Sequence, residues 1–361
     1  MRDDARPGDR LPTVKQCEIQ YNASRGTIVQ ALSLLEEQGR IERRRGSGCY
    51  IASHSEASSA SNGSRLIGLV TPNEITNEIL VRLYQGVERV ARIHNSHVIL
   101  AASNTNYETE RQHIHRLVQA GCTGIVLFPV TRTKEKLEND YLQREFPDFP
   151  IVLVDMAFPF QRRPQIVFDN YQAAFDITEM LLAEGHRRIA FMDTSQNGAW
   201  MHYSNMERRR GYEDALQSAG YAVEPEDIWD VRLSNEEEDV PVCLDRWAGR
   251  ESRASAVIAV EDRAAIRAIQ SAQSLGFRIP QQLTVIGFDN VNEGRFFNPP
   301  FTTTDPDFRR AGELATRLII RMARGDDASS VIYVLPVPIK RRKGLHPEGV
   351  APKPAVLEAA P

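Results

Sequence analysis

The chain has 361 residues, is 42% hydrophobic and carries a formal net charge of −4. That is enough apolar material for two or three packed lobes, and the overall charge marks no general affinity for polyanions, although an average hides local patches. Four widely spaced cysteines, Cys17, Cys49, Cys122 and Cys243, form no C-x-x-C pair. Neither a disulfide framework nor a zinc site is expected, and a reducing cytoplasm fits. No apolar run approaches the roughly 18 residues of a membrane span, and the first 30 residues hold no apolar signal core.

The first elements are helical. "TVKQCEIQY" predicts a short helix, "NA" a tight turn, and "SRGTIVQALSLLEEQG" (24–39) a second helix. In the second, Ile28, Ala31, Leu32 and Leu35 recur at helical spacing and predict one apolar stripe facing a core. Ser24 is placed to cap its start and Gly39 to end it. Its other face begins with Arg25, Gly26, Thr27, Val29 and Gln30. "GRIERRRGSGCYIA" then predicts a strand, a glycine turn and a strand, with Arg43, Arg44 and Arg45 at the tip. Residues 1–50 hold nine Lys/Arg and seven Asp/Glu, so clustering counts for more than the sum. Two readings stand on pattern alone. One is a helix hairpin beside a solvated charge run. The other is a helix-turn-helix whose second helix enters a major groove.

A Ser- and Ala-rich stretch follows, "ASHSEASSASNGS" (52–64), which cannot bury enough surface to order itself. The expected organisation is a head at 1–52, a flexible linker at 53–64, a body at 65–345 and a Pro/Ala-rich disordered tail at 346–361.

The body alternates continuous apolar runs with amphipathic segments. The runs are "RLIGLVTP", "SHVILAAS", "GIVLFPV", "IVLVD", "RIAFMD", "AVIAVED" and "LTVIGFDN". Such runs suit strands buried on both faces, and the strand–helix alternation predicts an α/β fold with parallel sheets. Roughly 280 residues exceed one such sheet, so two lobes with a cleft between them are expected. Ligands of open α/β sheets bind beyond the carboxyl ends of the strands. No G-x-S-x-G, P-loop, dinucleotide fingerprint or H-E-x-x-H occurs, so no enzyme, cofactor or metal is expected. His113, His115 and His186 have no metal spacing and read as surface histidines.

The residues carry a resemblance to known families. "PGDRLP", "SR-x-T", "AL-x-x-LEEQG-x-I" and "RRGSG-x-x-I" make the head similar to the winged helix-turn-helix of the GntR family of bacterial repressors. The resemblance covers about 47 residues and implies binding to operator DNA. It puts Lys15, Ser24, Arg25, Thr27, Gln30, Arg44, Arg45, Gly46 and Gly48 at the DNA. An arginine there reads guanine or a phosphate, a glutamine reads adenine, and a helix N-terminus suits a phosphate oxygen. Two departures are present. Val29 replaces a second arginine common in the family. The family's helix before "PGDRLP" is expected to be missing, because only six residues precede that motif.

"FDNYQAA…EGHRRIAF" and "GFDN…PPFTTTDPDF" make the body resemble the effector domain of LacI/GalR repressors, of the periplasmic-binding-protein type I fold. Head and body together resemble arabinose-repressor-type regulators. The resemblance implies a homodimer on a palindromic operator and a small effector, a sugar above all, in the interlobe cleft. Carried over, Asp155, Asp169, Arg208, Glu261 and Asp289 are polar pocket positions, and Phe168 and Phe308 are apolar walls. Carboxylates and a guanidinium bind adjacent hydroxyls in pairs. Each residue has a plainer reading. Asp155 and Asp169 suit helix or turn caps, Arg208 a surface charge run, and Phe168 the core. The alternative function is the solute-binding component of a transporter, against which stand the DNA-like head and the lack of an export signal.

Overall fold

A computed structural model describes residues 8–37, 41–44, 48–51, 65–73, 77–130, 140–158, 162–193, 203–232, 236–328 and 331–342. The expected linker, the tail, Gly39, Arg45 and Gly46 fall outside these residues. The chain divides into a small N-terminal unit and a large one.

The small unit holds α1 (Val14–Tyr21), α2 (Arg25–Glu37), β1 (Ile41–Arg44) and β2 (Gly48–Ile51). Thr13 starts α1 with a capping box: its side chain accepts from the Gln16 amide, and the Gln16 side chain accepts from the Thr13 amide. Asn22 ends α1 in a left-handed conformation, φ 46°, which makes the expected tight turn. The two strands pair antiparallel, Ile41 opposite Ile51 and Arg44 opposite Gly48. Cys17, Ile28, Leu32 and Ile41 form the core, with Val14 and Leu35 packed against it. Ala31 departs from the expected stripe, because it is exposed. At this helix rotation the two large side chains, Ile28 and Leu32, claim the buried centre. A methyl group at the margin has less to gain from burial.

The large unit contains two α/β lobes. Its elements in order are β3 (Arg65–Thr71), α3 (Glu78–Ile93), β4 (Ser96–Ala102), α4 (Tyr107–Gln119), β5 (Cys122–Leu127), α5 (Tyr141–Glu145), β6 (Ile151–Val154), β7 (Gln165–Phe168), α6 (Asn170–Ala183), β8 (Ile189–Asp193) and α7 (Tyr203–Ser218). They continue with β9 (Ile228–Asp230), α8 (Glu236–Ala248), β10 (Ala256–Ile258), α9 (Asp262–Ser274), β11 (Thr284–Ile286), α10 (Asn292–Phe296), β12 (Thr303–Thr304), α11 (Phe308–Met322), β13 (Ile332–Leu335) and β14 (Ile339–Lys340).

The first lobe is a six-stranded sheet in the order β13-β7-β6-β5-β3-β4, and the second a four-stranded sheet in the order β11-β10-β8-β9. The strands β5, β6 and β10 are buried throughout, as their unbroken apolar runs predict, apart from Thr123 of β5. The chain passes between the lobes three times: from β7 to α6, from α10 through β12 to α11, and from β13 to β14, which pairs with β12. Helices close on each other where glycine allows it. A Cβ on Gly86 of α3 would lie 2.0 Å from the carbonyl oxygen of Arg309 in α11, and one on Gly312 would lie 2.3 Å from that of Leu83. A Cβ on Gly211 of α7 would meet the carbonyl oxygen of Tyr171 in α6 at 2.2 Å.

His186 is not the expected surface histidine. It is 1% exposed, and its Nδ1 lies 2.7 Å from Ser255 Oγ. His115 is half-buried and pairs with Glu145 at 2.7 Å. No cysteine pair is bonded among the described residues, and they bring no three His, Cys, Asp or Glu side chains together in an arrangement that could hold a metal ion. No helix among them is long and apolar enough to cross a membrane.

Candidate functional sites

In the head, Ser24 caps α2. Its Oγ accepts from the Thr27 amide at 3.2 Å and lies 2.9 Å from Thr27 Oγ1. Arg25 and Thr27 are exposed in the first turn, and Lys15 is exposed on α1. An exposed arginine at a helix N-terminus suits a phosphate-bearing partner. Gly48 opens β2 with φ 116°, in the region that favours glycine, and a Cβ there would meet Arg10 Nε at 3.2 Å. Gln30 lies on α2 and Arg44 ends β1, but the side chains of both lie outside the described structure, as do Arg45 and Gly46 entirely.

In the body, the carboxyl ends of several strands supply polar residues. Asp155 follows β6, Asp169 follows β7, Glu261 follows β10 and Asp289 follows β11. Arg208 joins them from α7 and is 7% exposed. Its Nε donates to Asn170 Oδ1 at 2.8 Å, its Nη1 to the Val260 carbonyl at 2.7 Å, and its Nη2 to Asp289 Oδ1 at 3.4 Å. The guanidinium lies over the Phe288 ring, 4.1 Å from its centre. The plain surface reading of Arg208 therefore fails.

Asp155 is 4% exposed, and its Oδ1 has no hydrogen-bond partner among the described residues. Burial pushes its carboxyl up to about 7; Arg208 opposes the shift and Asp289 adds to it. Burial also raises Asp289, against the pull of Arg208 and Arg82. Three charged groups from both lobes thus share one buried electrostatic neighbourhood. Asp155, Asp289 and Asn290 all have positive φ, at 57°, 92° and 50°. Left-handed non-glycine residues cost roughly 1–3 kcal/mol each and cluster at functional sites.

The remaining candidates differ in character. Asp169 caps α6, accepting from the Gln172 amide at 3.1 Å, and stays half-exposed. Glu261 precedes α9 without a side-chain capping bond and is also half-exposed. Phe168 and Phe308 are 3% and 2% exposed, and their ring centres are 4.5 Å apart; Phe128 stacks on Phe308 at 6.3 Å. These rings belong to the core of the large unit, so the core reading of Phe168 holds alongside any role as a wall.

The sequence reading missed Asn170, Asn205 and Asp262. Asn170 is 2% exposed and anchors Arg208; its only signal was its place beside Asp169. Asn205 also faces Arg208, with Oδ1 3.5 Å from Nη1. Asp262 is fully buried at the start of α9. It accepts from Thr303 Oγ1 and from the Val291 amide, and burial pushes it up to about 7. It braces the loop that carries Asp289.

Residues 1–51 match the model of bacterial regulatory proteins of the gntR family, and residues 178–343 match that of the periplasmic binding protein-like domain. The chain is 24% identical over 337 residues to an arabinose metabolism transcriptional repressor of Geobacillus stearothermophilus, covering 91% of this chain and 90% of that one. It is 25% identical over 283 residues to the HTH-type transcriptional repressor PurR of Histophilus somni, covering 78% and 82%. Among solved structures, a putative ribose operon repressor from Burkholderia thailandensis aligns with TM-score 0.66 at 26% identity, covering 77% of this chain and 99% of that one. A LacI-family sugar-binding regulator from Escherichia coli, complexed with phosphate, has the same fold, with TM-score 0.66 at 24% identity, covering 78% and 98%. These relatives are transcription regulators, and the transporter-component reading is not favoured.

Proposed function

We propose that this transcriptional regulator, with its gntR-family head and periplasmic-binding-protein-like body, is a repressor whose operator affinity is set by a sugar in the interlobe cleft. The observation that carries the effector half is the buried cluster of Asp155, Arg208 and Asp289 beyond the strand ends. A carboxyl oxygen without a partner among the described residues, beside a guanidinium, fits a ligand rich in hydroxyls. Glu261 and Asp169, half-exposed after β10 and β7, extend the polar set. Phe168 and Phe308 back it with apolar surface.

On the DNA side, Arg25, Thr27, Lys15 and Ser24 form the reading end of α2 and its neighbour, with Gln30, Arg44, Arg45, Gly46 and Gly48 completing the contact. The protein acts in the cytoplasm as a homodimer on a palindromic operator, since half-site spacing mirrors a two-fold axis. It performs no catalysis. Effector and operator are coupled only by the effector's different affinity for the two arrangements of the dimer.

Two measurements test this reading. The first is an anisotropy titration with DNA from the promoter beside its own gene; absence of binding by the folded protein ends the operator claim. The second is a thermal-shift panel of pentoses, hexoses and uronates, with Arg208→Ala and Asp289→Ala as controls. A sugar that raises the melting temperature of both variants as much as that of the wild type sinks the pocket assignment.

A further inference from the structure

We infer that Arg82 of α3 is the interlobe strut that positions Asp289 and couples occupancy of the cleft to the first lobe. The inference rests on the reading of the cleft as the effector site.

Arg82 is anchored in the first lobe. It sits one turn before Gly86, where α3 presses against the backbone of α11 so closely that no Cβ fits. From that fixed base its guanidinium crosses to the second lobe. Nη1 donates to the carbonyl oxygen of Asp289 at 3.1 Å, and Nη2 to that of Asn290 at 2.6 Å. The same group pairs with Asp305 Oδ1 at 3.3 Å, on the segment between β12 and α11, and with Glu78 Oε1 at 2.7 Å. Its side chain is only 15% exposed.

Glu78 adds a second tie. While Oε1 holds Arg82, Oε2 accepts from the Asn292 amide at the start of α10. One helical turn of α3 thus grips residues 289, 290 and 292 of the second lobe. Asp289 is held from two sides. Arg208 engages its carboxylate from α7, and Arg82 engages its carbonyl from α3. Both carbonyls that Arg82 holds belong to residues with positive φ. A planar fork with fixed donors can satisfy two adjacent carbonyls at once, and an ammonium cannot reproduce that geometry.

The consequence is directional. A ligand that draws the Asp289 carboxylate towards itself turns the same peptide against Arg82, and α3 receives the displacement. Arg82 touches no ligand in this scheme, so it is a positioning residue. Asp262, Thr303 and Arg342 hold the rest of the loop from the second lobe and the crossovers, and they remain in place when Arg82 is removed.

The test uses the full chain and begins without any sugar. Hydrogen exchange of the segment 289–294 is expected to rise at least tenfold in Arg82→Met and by less in Arg82→Lys. Exchange in α9 and in β10 is expected to stay at the wild-type rate, which separates loosening of the strut from failure to fold. Glu78→Ala, an independent variant, is expected to raise exchange at Asn292. Wild-type exchange of 289–294 in Arg82→Met overturns the inference.

The second arm titrates operator DNA with and without L-arabinose and with and without D-ribose. Where a sugar shifts the operator Kd of the wild type, Arg82→Met is expected to shrink that shift at least fivefold while leaving the sugar-free Kd unchanged. An undiminished shift also overturns the inference. If neither sugar binds the wild type, the choice of these sugars fails, and the exchange measurement still decides the strut.

Discussion

Arg208 Nε donates to Asn170 Oδ1 at 2.8 Å, and that bond ties the pocket arginine to the first residue after the crossover from β7. Arg208 is held on both sides of its guanidinium, by Asn170 and by the Val260 carbonyl, before it reaches Asp289. Removing Asn170 deletes a hydrogen bond to a charged group, worth about 1.5–3 kcal/mol. Asn170→Ala is expected to lower the urea midpoint accordingly. Arg208→Ala removes the guanidinium that pairs with the buried Asp289 carboxylate and opposes the burial of Asp155, and breaking such a buried pair costs about 3–5 kcal/mol. The order of the two variants is the check: an Asn170→Ala protein less stable than Arg208→Ala would contradict this anchoring.

The fold was legible in the sequence where one force dominates. The seven apolar runs all became strands; six are mostly buried, as continuous Val/Ile/Leu segments predict, while β4, at the sheet edge, is largely half-exposed. The short strands β9, β12 and β14 carry only two or three residues each and gave no periodic signal. Ala31 and His186 failed for a shared reason. Pattern says which residues are apolar, but depth depends on the neighbours that other elements bring. His186 is sealed by Ser255, 69 residues away. The site divides in the same way. Asp155, Arg208 and Asp289 could be named from motifs, whereas Asn170 and Arg82 matter through contacts between distant elements.

Asp155 gives stability a definite dependence on pH. Its carboxyl is pushed from an ordinary 3.8 up to about 7, with burial the largest cause. Between roughly pH 4 and pH 7 the folded chain keeps a proton that the unfolded chain has released. Stability from this group therefore falls as pH rises through that window and levels off above it. Asp155→Asn removes the penalty. It is expected to gain stability over the wild type as pH increases, by up to a few kcal/mol at pH 8. Urea midpoints of both proteins from pH 4.5 to 8.5 give the difference directly, and a difference that is flat with pH refutes the assignment. Asp262 and Glu110, raised to about 7 and about 8 by burial, slope the wild-type curve the same way, so only the comparison isolates Asp155.

The α3–α11 crossing predicts an intolerance of single methyl groups. Cβ atoms at Gly86 and Gly312 would fall 2.0 Å and 2.3 Å from backbone oxygens, where no side-chain rotation relieves the clash. Overpacking in well-packed interiors costs about 1–3 kcal/mol, and a backbone clash belongs at the upper end. Gly86→Ala and Gly312→Ala are each expected to lower Tm by several degrees. The double variant should lose less than the sum, because once the helices part for one methyl group the other has room. Strict additivity in calorimetry would mean that the two glycines do not share one contact.

The head permits the opposite experiment. Gly26 lies in the first turn of α2, where, among the described residues, a Cβ would find only Ser24 Oγ, at 3.8 Å. Its backbone is helical, so glycine gives nothing there that alanine lacks. Gly26→Ala is expected to stabilise the head by about 0.5–1 kcal/mol through the lower entropy of the unfolded chain. Arg25, beside it, is exposed, and its removal is expected to leave stability within about 0.5 kcal/mol. Arg25→Ala should instead act on DNA, weakening operator binding. If the contact is to a phosphate, the slope of log K against log salt falls by about 1. If the contact is to guanine, the salt slope stays and one operator position loses its preference, at about 1–3 kcal/mol. Anisotropy titrations at three salt concentrations, on the operator and on single-base variants, distinguish the two. An Arg25→Ala protein with unchanged affinity on all of them would remove α2 from the proposed interface.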